Sequence, residues 1–173
     1  MIEIKIDDRE VLAVLGRLNA AVGAHGLQPA MLRIGEHLVE TTKQRFDTST
    51  GPDGTRWKSN ARSTIEAGLG KRSESFSKKT GRITAKGSRR AAGKKPLVDT
   101  GVLQDTIRHQ LITGGVMVGT NRFADEWAGG AAVHQFGSRN GKIPARPFLG
   151  IDERDKTALL GILEYHSTRA LAR

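Results

Sequence analysis

The sequence predicts a small α+β domain: a mainly antiparallel sheet packed by several helices, interrupted by a long basic insertion loop. Three observations carry this prediction. Ile2, Ile4 and Ile6 alternate with charged residues, which is the period of a half-buried strand. Leu111-Ile112 and Val116-Met117-Val118 flank Gly114-Gly115, as two strands flank a tight hairpin turn. Three other stretches repeat apolar residues every three or four positions, the period of a helix with one buried face. At 173 residues the chain reads as one domain over 1–173, with the insertion at about 48–95.

After the strand at Ile2–Ile6, Asp7 or Asp8 supplies a cap for a first helix near 9–22. Val11, Leu12, Val14, Leu15, Leu18 and Val22 form its apolar face, and Gly23 to Gly26 end it. A second helix is expected over 28–47. Pro29 suits its first turn, where a backbone N–H has no partner to lose. Leu27, Met31, Ile34, Leu38 and Phe46 mark its buried side.

From Thr48 to Lys95 the apolar pattern stops. Thr48 to Gly54 is dense in turn residues, Trp57 is the only large anchor nearby, and Ile65 and Leu69 hint at a short helix. The remainder is polar, small and charged, too poor in apolar surface to offset the entropy of ordering. A structureless loop of this length inside a domain is expected to be functional or to be ordered by a partner.

The charge is concentrated in the same place. The chain carries 28 Lys or Arg against 18 Asp or Glu, a net +10. Ten of those cations and a single acid, Glu74, lie between Lys71 and Lys95, so nine of the ten net charges sit there. Such a run suits nucleic acid, an acidic protein surface, or water alone. Lys78, Lys79, Arg82, Lys86, Arg89, Arg90, Lys94 and Lys95 are the candidate contacts.

Pro96-Leu97-Val98-Asp99-Thr100-Gly101-Val102-Leu103 marks the return to a folded core. Pro96 biases Lys95 toward an extended shape, and Leu97-Val98 suits a short strand. Asp99 or Thr100 then caps a helix over 100–108, with Leu103, Ile107 and Leu111 on one face. An ordinary strand–turn–helix junction would read the same way. Beyond the hairpin, Asn121 caps a helix holding Phe123 and Trp127, which Gly129-Gly130 interrupts. Val133 to Gly137 resumes the pattern. Two prolines keep Ile143-Pro144-Ala145-Arg146-Pro147-Phe148-Leu149-Gly150 extended. Asp152 and Asp155 favour the start of a last helix near 152–170, with Leu159, Leu160, Leu163 and His166 facing inward.

Several function classes recede on this reading. There is no cysteine, hence no disulfide framework and no thiolate metal site. No apolar run is long enough to span a bilayer, and the first residues do not resemble a signal peptide, so a soluble chain with no membrane partner is expected. None of His25, His37, His109, His134 and His166 stands at a metal-ligand spacing. Thr100, Asp99 and His134 form a nucleophile–acid–base set only on paper. Neither catalysis, metal nor cofactor is expected.

Five short blocks fall in one order: Gly54-Thr55-Arg56-Trp57, Pro96 to Leu103, Val118-Gly119-Thr120-Asn121, His134-Gln135-Phe136-Gly137 and Ile143 to Gly150. Together they resemble the phage virion morphogenesis family, the tail-completion proteins of tailed bacteriophages. The resemblance covers most of Gly54 to Gly150, and the stretch from Phe123 to His134 is longer than the family pattern, consistent with an insertion near Gly129. It implies a structural protein, made in the host cytoplasm, that completes the tail and forms a ring at the head–tail junction. Six subunits are expected in that ring, next to the neighbouring tail and connector proteins and with DNA in the lumen. Arg146, Pro147, Phe148, Asp99 and Thr100 are then the expected interface residues. In that reading Arg146 pins its segment to a carboxylate at a helix end or to the next subunit. A nucleic-acid-binding protein acting through Lys71–Lys95 is the alternative.

Overall fold

The computed structural model describes residues 27–70, 74–122 and 130–171. The expected strand at Ile2–Ile6, the helix near 9–22 and the Phe123–Trp127 pair lie outside these residues. The organising element is α1, Gln28–Thr48, which contacts a β-hairpin and the last helix. Pro29 stands in its first turn as the sequence predicts. Its buried stripe is Ala30, Ile34, Gly35, Thr42, Arg45 and Phe46. Ser49 ends the helix in the left-handed region, and its N–H bonds the Arg45 carbonyl.

The hairpin pairs β1, Arg108–Ile112, with β2, Gly115–Gly119, in antiparallel register from Arg108 opposite Gly119 to Ile112 opposite Gly115. The connecting residues are therefore Thr113-Gly114, one position earlier than the predicted Gly114-Gly115, because Gly115 already pairs. His109 and Leu111 are the half-buried positions of β1, as strict alternation requires, while on β2 only Met117 is exposed. His109 lies directly on Gly35: a Cβ there would come within 2.7 Å of the imidazole.

Two predictions for the Pro96 stretch are corrected. Leu97 has φ 60° and lies in a turn, so Pro96–Val98 is not a strand. The helix expected over 100–108 is a single turn, α4, Val102–Asp105. Its cap is Gly101, at φ 83°, a conformation that Asp99 or Thr100 would adopt only with strain, and no side chain caps it. The Asp99 carboxylate instead accepts from Lys94 Nζ. Ile107 has left the helix, is 2% exposed and joins the core just before β1 begins. β-branched Thr106 and Ile107 disfavour continuing the helix and suit the extended chain that leads into β1.

The core joins Phe46, Trp57, Ile107, Ala131 and Phe148, with Val39, Leu97, Val98, Leu103, Val118 and Leu149 against it. Phe46 meets the Trp57 ring edge-on at 5.4 Å and the Phe148 ring, tilted, at the same distance. Such pairs add to the free energy of burying the rings. Helix α5, Gly130–Phe136, supplies Ala131, and the chain turns at Gly137.

The last helix, α6, runs Glu153–Leu171. A reciprocal cap starts it: the Asp155 N–H donates to Asp152 Oδ1 at 2.8 Å, and the Asp152 N–H to Asp155 Oδ2 at 3.1 Å. The Asp155 N–H, its largest influence, also holds the Asp152 carboxyl below the usual aspartate pKa. Leu159, Leu163 and His166 are half-buried, but Leu160 is 67% exposed and does not face inward.

The expectation of a structureless loop over 48–95 is also corrected. Thr50 and Arg56 form a bridge, α2 spans Arg62–Gly70, and α3 spans Ala85–Ala92. Residues 74–93 form a module held by polar bonds. Phe76 and Ile83 form an antiparallel bridge, the Ser77 N–H donates to Arg82 O, and the Thr84 N–H donates to Ser75 O. Thr84 Oγ1 donates to Glu74 O at 2.6 Å and accepts from the Gly87 N–H at 3.1 Å, capping α3. Arg90 Nη1 donates to Ser75 Oγ at 3.1 Å, with Ser75 fully buried. Composition arguments count apolar area and so miss order built from capping and turn bonds.

Gly87 is the position on which the module turns. A Cβ there would lie 2.2 Å from the Ser75 carbonyl oxygen, a backbone atom that cannot yield cheaply. Gly87→Ala is expected to detach α3 from Ser75 and speed tryptic cleavage between Lys78 and Arg90 about tenfold or more, as a few kcal/mol of local opening requires. The core's thermal unfolding should barely change. Cleavage at the wild-type rate would contradict the packing.

Candidate functional site

The five sequence blocks meet around the extended segment 143–150. Its two prolines fix the chain, three side chains from separate elements clasp it, and its own Arg146 reaches out to a neighbouring loop. Arg45, on the buried face of α1, donates from Nη1 to Gly150 O at 2.8 Å and to Phe148 O at 3.2 Å. Trp57 Nε1 donates to Pro147 O at 2.9 Å. Gln135 on α5 accepts the Phe148 and Leu149 N–H groups on Oε1, each at 3.0 Å, and donates from Nε2 to Leu149 O at 2.9 Å. Arg146 donates from Nε to Lys58 O at 2.8 Å and from Nη2 to Ser59 O at 2.9 Å. An extended segment has no internal ladder, so the bonds from Arg45, Trp57 and Gln135 satisfy its backbone, while Arg146 satisfies carbonyls of the neighbouring loop.

Charge is settled at the C-terminal end of the segment. Arg45 Nη2 lies 2.6 Å from Asp155 Oδ2 and 3.6 Å from Asp152 Oδ2. His37 Nε2 lies 3.1 Å from Asp155 Oδ1. Arg45 is 5% exposed and Asp155 1%, so this is a buried, doubly supported ion pair that ties α1 to α6.

At the other end stands Arg146, also 5% exposed, whose partners are carbonyls rather than a carboxylate. Within the subunit the expected carboxylate contact is replaced by these bonds to carbonyls. The carboxylates at the helix end are held by Arg45 instead. Phe148 is fully buried in the subunit's own core. Both side chains are buried within the subunit. Pro147 is half-buried and offers its carbonyl to Trp57. Asp99 is half-buried and tied to Lys94, and Thr100 is exposed.

His134 lies beside Arg146, whose N–H donates to the His134 carbonyl at 2.7 Å. Its Nδ1 is buried without a hydrogen-bond partner. Burial first, and then the Arg146 charge, lower the imidazole pKa below its ordinary value. The proton is therefore bound more weakly in the folded chain than in the unfolded one. Stability is expected to be level above about pH 6.5 and to fall as pH drops through the folded pKa. His134→Gln should flatten that acid limb in a melting series between pH 7 and pH 5. An unchanged limb would exclude His134 as its source.

The eight predicted basic contacts divide into two sets. Lys86 pairs with Glu74, Lys94 with Asp99, Lys95 Nζ donates to Asp47 O at 2.9 Å, and Arg90 serves Ser75. Lys78, Lys79, Arg82 and Arg89 are exposed, and among the described residues none of the four pairs with an acid. Among the described residues, no group of three or more His, Asp or Glu could hold a metal, and no helix is long and apolar enough to cross a membrane.

Sequence reasoning missed Arg45 and gave Gln135 no role of its own. A signal for Arg45 was present: it lies seven residues after Leu38 and next to Phe46, on the apolar stripe of α1, where an unpaired charge is not tolerated. Compared with known proteins, the chain matches the sequence model of the phage virion morphogenesis family over residues 6–167. No curated protein and no solved structure matches it.

Proposed function

The chain belongs to the phage virion morphogenesis family, and on that premise we propose that it completes the phage tail by forming a homo-oligomeric ring, a hexamer, at the head–tail junction. A role in virion structure or morphogenesis follows from the family itself. The head–tail junction is what the family resemblance implies, and the self-contact is supported by what the clasp presents. A segment locked by two prolines, bound by three side chains and anchored by its own Arg146 is a rigid mount, and rigid mounts present neighbours to a partner at low entropic cost. The neighbours it presents are apolar. Phe136, next to Gln135, is 79% exposed, and Ile151, just past Gly150, is 51% exposed. An aromatic this bare suits a contact with a second copy of the chain, where aromatic anchors carry much of the binding energy. Arg146 and Phe148 then act on the interface by holding the mount, and Asp99, Thr100 and Pro147 are proposed as further interface residues. Adjoining tail and connector proteins complete the junction.

Phe136→Asp tests this reading, since an exposed side chain contributes little to folding. The variant should melt like the wild type but fail to form a defined oligomer, and in a phage lacking its own copy it should leave heads and tails unjoined. Normal particle yield from this variant would overturn the proposal.

A further inference from the structure

We propose that the 74–93 module is a preformed grip for the phosphate backbone of double-stranded DNA, acting through Lys78, Lys79, Arg82 and Arg89. This deepens the reading above by naming a second partner for the same subunit. The module's internal bonds select these four cations. Glu74, its only acid, is taken by Lys86, and Arg90 is engaged by the buried Ser75. The remaining four are exposed, three of them around the turn between Phe76 and Ile83 and one on α3. A turn closed by the Ser77–Arg82 and Gly81–Ser77 backbone bonds, and a helix capped by Thr84, hold them at fixed places. Among the described residues no acid pairs with any of the four, which suits a partner of continuous negative charge.

Duplex DNA fits better than an acidic protein. Protein interfaces rely on buried aromatic or aliphatic anchors. Here the exposed apolar content of the module is Ile83 alone among large residues, at 46%. Phosphates require only cations, and each one neutralised releases counterions and strengthens binding. With no exposed aromatic to stack on bases and no helix long enough to read a groove, the contact is independent of sequence.

The test is binding of the purified full chain to a mixed-sequence duplex of 30 base pairs across a salt series. The wild type should bind with a steep inverse dependence on salt. Neutralising Lys78, Lys79, Arg82 and Arg89 together to Gln should make the log–log slope shallower by about 3.6, if each meets one phosphate. The variant's melting temperature should be unchanged, because these side chains hold nothing together. A control variant with Arg56, Arg122, Arg139 and Lys142 changed to Gln should keep the wild-type slope. An unchanged slope in the module variant, or an equal loss in the control, overturns the proposal. So does displacement of the duplex by polyglutamate at equal charge concentration, which would indicate an acidic protein partner. The Phe136→Asp variant should retain its share of DNA binding per subunit, so failure of the ring and failure of the grip are separable.

Discussion

Phe148→Ala is expected to lower the stability of the isolated subunit by about 3–5 kcal/mol, the cost of emptying a well-packed aromatic site. For a domain of this size that is a fall in melting temperature of roughly 10 °C. The ring is fully buried and touches Phe46, which in turn meets Trp57 edge-on, so its removal opens a cavity at the junction of α1, the Trp57 loop and the clasped segment. Partial collapse is resisted because Gln135 and Arg45 fix the backbone on either side. Particle yield should fall only in step with the amount of folded subunit. Loss of particles with an unchanged melting curve would instead put Phe148 on an intersubunit surface.

Arg45→Met should be comparably severe, about 3–5 kcal/mol, because it strands Asp155 as an uncompensated buried charge. The same change removes the donor to the Phe148 and Gly150 carbonyls. His37 and the Asp152 N–H remain around Asp155 but do not replace a guanidinium 2.6 Å away. Removing both charges, as Arg45→Met with Asp155→Leu, should cost less than the two single changes added together, by about 1–3 kcal/mol. Strict additivity in denaturant melts would mean the pair is not coupled. The hydrogen bond from Arg45 to the segment would then carry the whole effect.

Much of this architecture is legible from periodicity. The 21-residue α1, the hairpin and α6 announce themselves because their apolar spacing has one reading. The Pro96–Leu103 stretch misleads because its cues compete. Asp99-Thr100 resembles a cap, yet Gly101 alone suits φ 83°, and Ile107 obeys strand preference rather than the helical spacing from Leu103. Residues 74–93 mislead for a different reason. Their order comes from hydroxyl, carbonyl and amide groups around Thr84 and Ser75, which no count of apolar residues detects. At the clasp, sequence marked Arg146 and Phe148 as important but not in which direction they point. A buried arginine and an exposed arginine have the same letter, and only the carbonyls of Lys58 and Ser59 show where Arg146 is satisfied.

The central claim is that this subunit forms a ring where head meets tail. Its most direct test is an image reconstruction of intact virions carrying a small tag at the C-terminus of this chain. The account predicts tag density in a closed ring of six at the head–tail junction, with Phe136 at the contact between adjacent copies. Tag density elsewhere in the particle, a single copy at the junction, or no tag in purified virions would contradict it.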